Sequence, residues 1–89
     1  MPNAKRKFTA VELIPGQTYT VITAFQDYDG MLHPAGERWR HVGRNFLPYE
    51  DGLTLFTETN DRPSQIRLQW SDDSQGPIVD HFSEFVEEA

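Results

Sequence analysis

The sequence predicts a single small, mainly β domain: a five-stranded antiparallel barrel or strongly curved sheet with a short C-terminal helix. Three stretches carry this expectation. Thr18-Tyr19-Thr20-Val21-Ile22-Thr23-Ala24-Phe25 is rich in β-branched and aromatic residues and free of Gly and Pro. Gln65-Ile66-Arg67-Leu68-Gln69-Trp70 alternates strictly, with Ile66, Leu68 and Trp70 inward, as a half-buried strand should. Further on the period changes, and Ile78, Val79, Phe82, Phe85 and Val86 recur at helical spacing within 75–88, with Pro77 suited to a first helical turn. An open α+β sheet with the helix across one face is the alternative architecture.

Taken in order, residues 1–10 read as a flexible lead and 11–89 as the one domain. Val11-Glu12-Leu13-Ile14 is an apolar segment ended by Pro15-Gly16. The strand over 18–25 puts Tyr19, Val21, Thr23 and Phe25 on one face. Gln26 to Ala35, with Asp27, Asp29-Gly30 and Pro34, reads as an irregular excursion, the kind of long loop that often carries function. Over 36–43 a second strand turns Trp39 and His41 one way and Arg38, Arg40 and Val42 the other, and Gly43-Arg44-Asn45 turns the chain. Asn45 to Phe56 reads as a hairpin whose loop is Glu50-Asp51-Gly52, Gly52 taking the left-handed conformation. Thr59 to Ser64 is a loop before the alternating strand. Glu84, Glu87 and Glu88 near a helix C-terminus oppose its dipole, so that end should fray.

A chain of 89 residues supports one hydrophobic core. With no cysteine, disulfides, thiolate zinc sites and cysteine nucleophiles are excluded, and a cytoplasmic location is the default expectation. No stretch approaches the ~18 apolar residues of a spanning helix, and the N-terminus lacks the apolar run of a signal peptide, so no membrane association is expected. Fourteen acidic residues against eight basic ones give a net charge of −6. Asp72, Asp73, Asp80, Glu84, Glu87 and Glu88 in the basic-free stretch 71–89 account for it. Generic nucleic-acid binding is therefore disfavoured; the one dense basic cluster, Lys5-Arg6-Lys7, reads as a solvated terminus.

Asp27-Tyr28-Asp29-Gly30 has the look of a calcium loop, but placing Gly30 at the glycine position puts Phe25 first and Gly36 last, and neither offers a ligand, so the stretch reads as a turn capped by its own Asp side chains. His33, His41 and His81 are too scattered to build a metal site on one element, so no metal or cofactor is expected. No Ser-His-Asp order, phosphate loop or dinucleotide fingerprint is present, and no catalytic residue is assigned. Phe25, Phe46, Phe56, Trp70, Phe82 and Phe85 fall at core phases, whereas Tyr28 and Tyr49 lie in or beside loops. A loop aromatic flanked by charge suits an interface. The candidate binding surface is therefore Tyr28 with Asp27 and Asp29, joined by Trp39 and Arg44. Its two carboxylates would select a basic protein or peptide. The expected function is a non-enzymatic protein or peptide interaction module, monomeric or weakly self-associating. The alternative is a small hydrolase or ligand-binding enzyme using carboxylates such as Glu37 and Glu50 with His41.

From Gly16 to Val86, Asp27-Tyr28-Asp29-Gly30, His33-Pro34, Gly36-Glu37, Trp39 and Pro48-Tyr49-Glu50-Asp51-Gly52-Leu53-Thr54-Leu55-Phe56 make the chain resemble a family of small bacterial domains of unknown function. That resemblance implies no activity or ligand. Locally, Ala24-Phe25-Gln26-Asp27-Tyr28-Asp29 is similar to the loop signature of Src-homology-3 domains, which implies a barrel of that class. Gln26 stands where the signature has its first tyrosine, and the later paired tryptophans are absent.

Overall fold

The computed structural model of the chain describes residues 7–47 and 52–89. After a single 3-10 turn at Ala10–Glu12 come β1 (Thr18–Val21), β2 (Phe25–Gln26), β3 (Leu32–His33), β4 (Arg38–Leu47), β5 (Gly52–Thr59) and β6 (Arg62–Gln69). They are followed by α1 (Gly76–Asp80), a 3-10 turn at Phe82–Glu84 and β7 (Val86–Glu88). The mainly β expectation holds: five strands form an antiparallel sheet in the order β6-β5-β4-β1-β7, and β2 and β3 form a separate ribbon. Among the described residues β6 and β7 are the two edges and do not pair, so the sheet is open and not a closed barrel.

Alternation decides which face is wet. Along β5, Leu53, Leu55 and Thr57 are buried, and opposite them Leu68 and Ile66 of β6 and His41 of β4 are buried too. Tyr19 and Val21 of β1 and Val86 of β7 extend the same inner face. Phe8, Ala10 and Leu13 cover it together with Ile78, Val79 and Phe82, the two segments meeting where the Ser83 N–H donates to the Phe8 carbonyl at 3.1 Å. Phe8 and Ala10 thus belong to the core although they fall in the stretch expected as a lead.

Several local expectations are corrected. Gly43-Arg44-Asn45 does not turn the chain: β4 runs through it, with a bulge between His41 and Gly43 that absorbs Val42 as an extra residue. Gly52 is the first residue of β5, opposite Leu47, and is not left-handed; Glu50 and Asp51 lie outside the described residues. The loop after β5 is two residues, Asn60 and Asp61, both at positive φ (52° and 64°) as a tight hairpin requires. Pro63 then falls inside an edge strand, where its missing N–H breaks no ladder bond. The first strand breaks after Val21 and resumes at Phe25. Phe56 projects from the outer face, on the opposite side of β5 from Leu55. Trp70 lies past the end of β6, half-buried, edge-on to Phe46 at 5.7 Å and donating its indole N–H to Asp80 Oδ1 at 2.8 Å.

The helix is shorter than the apolar spacing suggests. Asp72 accepts hydrogen bonds from the Ser74 hydroxyl and from the backbone N–H of Ser74 and Gln75, which hold its carboxyl below the usual carboxylate range and start the helical turn. After Asp80 the chain passes through a 3-10 turn and then extends to pair with β1, Val86 opposite Val21. Helical spacing and this broken path bury the same residues, Ile78, Val79, Phe82 and Val86, so periodicity alone could not separate them.

Candidate functional site

The loop between β2 and β3 is fixed by its own side chains. Asp27 and Met31 close it, the Asp27 N–H donating to the Met31 carbonyl at 3.0 Å, and Gly30 supplies the left-handed residue, φ 82°. Asp27 is buried, and its Oδ1 accepts the backbone N–H of Asp29 (3.0 Å) and of Met31 (2.9 Å). Its Oδ2 lies 2.8 Å from Nε2 of the buried His33, whose Nδ1 lies 2.6 Å from Glu37 Oε2. Carboxylates only accept, so both contacts are hydrogen bonds when both ring nitrogens carry protons. Phe25 stacks on the imidazole at 4.9 Å.

Outside contacts complete the clamp. The Tyr28 N–H donates to the Arg67 carbonyl at 2.7 Å, and Arg67 Nη1 donates to Asp29 Oδ1 at 2.7 Å, docking the loop on the free edge of β6. Gln75 donates its side-chain amide to the Gln26 carbonyl at 2.9 Å, tying the ribbon to the start of α1. What the clamp leaves outside is apolar: Tyr28, Met31 and Leu32 are 49%, 65% and 57% exposed. Tyr28 also borders a hollow of about 280 Å³ against the sheet, lined by Leu47, Leu53, Arg67, Leu68 and Gln69.

The five residues singled out by sequence are placed unequally. Asp27, Tyr28 and Asp29 share the loop, but Asp27 is buried inside it and Asp29 is paired with Arg67, so neither is an unengaged carboxylate. Trp39 is 3% exposed, set between Tyr19 (5.7 Å) and Phe82 (6.5 Å) in the core, and offers no surface. Arg44 is exposed on β4 opposite Leu55 and makes no hydrogen bond or ion pair to the loop among the described residues. Sequence reasoning missed Met31, Leu32 and Arg67, and weighed His33 and Glu37 only for metal binding and acid–base chemistry, not for this clamp. Asp27 and His33 flanking an Asp-Gly turn was the available signal, since the diagonal positions of a hairpin are within reach of long side chains, and Asp27 lies diagonal to His33, whose direct partner is Phe25.

His41 is wholly buried, and neither ring nitrogen has a hydrogen-bond partner among the described residues. No described carboxylate is hydrogen-bonded to its ring. Nor do three acidic or histidine side chains converge as metal ligands among them; the two acids at His33 sit on opposite ring nitrogens. Burial pushes the His41 pKa below its ordinary 6.5, and the Arg44 charge adds to this. The neutral ring is thus favoured in the fold, and the unfolded chain takes up its proton first as the pH falls. The stability this contributes is complete above about 6.5 and is lost as the pH drops from there through the folded value. Relative to a His41→Leu variant, which has nothing to titrate, the wild type should lose stability between pH 7.5 and 5 in urea unfolding. A difference that stays constant across that range would contradict the assignment.

Three comparisons with known proteins bear on this geometry. The model of the family described as a domain of unknown function, DUF3601, matches residues 3–88. Among solved structures, the integron cassette protein VCH_CASS4, from the mobile metagenome of Vibrio cholerae, superposes with a TM-score of 0.84 at 35% identity, covering 88% of this chain and 87% of that one. Comparison with curated proteins gives no match.

Proposed function

Since the chain belongs to the DUF3601 family, whose description carries no activity, we propose from the site geometry that it is a non-enzymatic interaction module that meets a protein or peptide through Tyr28, Met31 and Leu32. The supporting observation is the pairing of exposed apolar side chains with a backbone clamped by Asp27, His33, Glu37 and Arg67. A surface already held in one shape loses little conformational entropy on binding, so more of its contact energy appears as affinity. The hollow beside Tyr28 is of a size to take a partner's side chain. With Asp27 and Asp29 already engaged, a basic partner would be favoured chiefly through the net charge of −6, which steers arrival more than it adds affinity. The absence of cysteine suits work in the cytoplasm.

The test is a pulldown from source cells with wild type and two variants. Tyr28→Ala combined with Met31→Ser should lose the captured partner at least tenfold while its Tm stays within a few degrees, because both side chains lie outside the core. Arg44→Ala, away from the loop, should capture as wild type does. Equal capture by the double variant would place the contact surface elsewhere.

A further inference from the structure

We propose that the β2–β3 loop is latched by a proton: His33 joins Asp27 and Glu37 only as the imidazolium, and loss of one ring proton releases Glu37 and loosens the β3 end of the ribbon. Two charged groups face the ring. Asp27 Oδ2 lies 2.8 Å from Nε2 and Glu37 Oε2 lies 2.6 Å from Nδ1, while Phe25 of β2 stacks on the ring at 4.9 Å. Among the described residues no other charged side chain is paired with the imidazole, and Arg67 on the neighbouring edge is engaged with Asp29. A carboxylate has no proton to donate, so each of the two contacts needs an N–H on the ring. The neutral ring has one N–H and one lone pair, and that lone pair would face a carboxylate oxygen at hydrogen-bond distance.

Burial decides which contact is given up. The Asp27 side chain is 4% exposed, and its other oxygen is fixed by the Asp29 and Met31 N–H groups, so it has no route to water. The Glu37 side chain is 29% exposed, and its carboxylate has no second hydrogen bond among the described residues, so it can turn into solvent. The neutral ring therefore keeps its proton on Nε2, for Asp27, and lets Glu37 go. The contact that is lost joins two parts of the fold. The Glu37 carbonyl accepts the Val21 N–H of β1 at 2.8 Å, and the Gly36 N–H donates to the Val21 carbonyl at 2.7 Å, so Glu37 is anchored to the main sheet, whereas His33 belongs to the ribbon. Once Glu37 is released, Arg67 and Gln75 still hold Gln26, Tyr28 and Asp29, but the β3 end with the exposed Leu32 has lost its side-chain tie to β1. The consequence for binding, a less fixed contact surface as the pH rises, rests on the reading of this loop as that surface; the latch is tested without a partner.

The experiment is a titration of nitrogen-labelled protein from about pH 6 to about pH 10, where unperturbed carboxylates stay ionised, followed by NMR of the imidazole and the backbone amides. Both His33 ring nitrogens should be protonated at the acid end, and Nδ1 alone should lose its proton as the pH rises. With the same midpoint, the Leu32 order parameter should fall from the roughly 0.85 of rigid backbone toward the roughly 0.6 of a flexible segment. In Glu37→Gln the side-chain amide can donate to the unprotonated Nδ1, so Leu32 should stay ordered throughout although the ring still titrates. Should that variant prove unfolded by circular dichroism, Glu37→Ala replaces it, and its Leu32 should be mobile across the whole series. The proposal is overturned if Nδ1 is unprotonated at the acid end while Leu32 is ordered, if Leu32 in the wild type keeps a constant order parameter over the range, or if the folded Glu37 variant responds to pH as the wild type does. The two readings fail separately. A latch that titrates in a protein whose Tyr28 and Met31 double variant still captures its partner upholds the latch and removes the surface, and an unchanging Leu32 removes the latch alone.

Discussion

Truncating Phe82 to alanine should cost roughly 3 to 5 kcal/mol, a large share of the roughly 5 to 15 kcal/mol that holds a small domain folded. Phe82 has no exposed surface; its ring meets Phe25 edge-on at 5.6 Å and lies near-parallel to Trp39 at 6.5 Å. It therefore joins the β2–β3 ribbon, the sheet and the C-terminal segment at one point, and no neighbour can move into the space without leaving its own contacts. At roughly 4 to 8 °C per kcal/mol for a domain of this size, the Tm should fall by well over 10 °C. Phe56→Ala is the matched control, the same deletion on the outer face, and should cost less than about 1 kcal/mol. Similar Tm values for the two variants in a thermal melt would mean that Phe82 is not where the core is joined.

The second large effect concerns His33. Replacing it with leucine keeps an apolar partner for the Phe25 ring but leaves Asp27 Oδ2 buried without its imidazole, and a buried acceptor stripped of its partner typically costs about 1 to 3 kcal/mol, more when it is charged. Adding Asp27→Asn should recover much of the loss, because the asparagine carbonyl can still accept the Asp29 and Met31 N–H groups while the stranded charge is gone. Urea unfolding of the two singles and the double gives the coupling between the sites. A double variant as unstable as the sum of the singles would show that the carboxylate and the imidazole act independently. Amide exchange at Asp29 and Met31 should also speed up in His33→Leu, since both N–H groups depend on Asp27 staying in place.

Much of the sheet is legible in the sequence, because alternation over Leu53, Leu55 and over Ile66, Leu68 is enforced by burial on one face and by solvent on the other. The failures have distinct physical origins. Phe56 broke the rule that a phenylalanine belongs inside, although its place in the alternation of β5 had already put it opposite Leu55. Asn60 and Asp61 are common in longer loops and in two-residue hairpins alike, so composition did not reveal that both adopt positive φ. In the candidate site Tyr28 was legible as a loop aromatic. Asp27 carries two readings in sequence, a turn carboxylate that caps its own backbone and one directed at a partner, and its bonds from the Asp29 and Met31 N–H groups are those of the first. The role of His33 depends on the register of the ribbon, which sets Phe25 opposite it and Asp27 diagonal to it, and the Asp-Gly turn between Asp27 and His33 is the one trace of this in the sequence.

The strand order also has a bearing on how the chain reaches its fold. β4, β5 and β6 are consecutive, and β5 and β6 are joined by a two-residue turn, so their ladders close over short stretches of chain at small entropic cost. Pairing Val21 with Val86 joins distant parts of the chain, and that loop entropy must be overcome before any contact across it is gained. The meander is therefore the natural folding nucleus, with the β1–β7 ladder docking onto a sheet that already exists. The Tyr28 loop bridges the two stages: its turn can form locally, but its anchor on Arg67 becomes available only once β6 is in place.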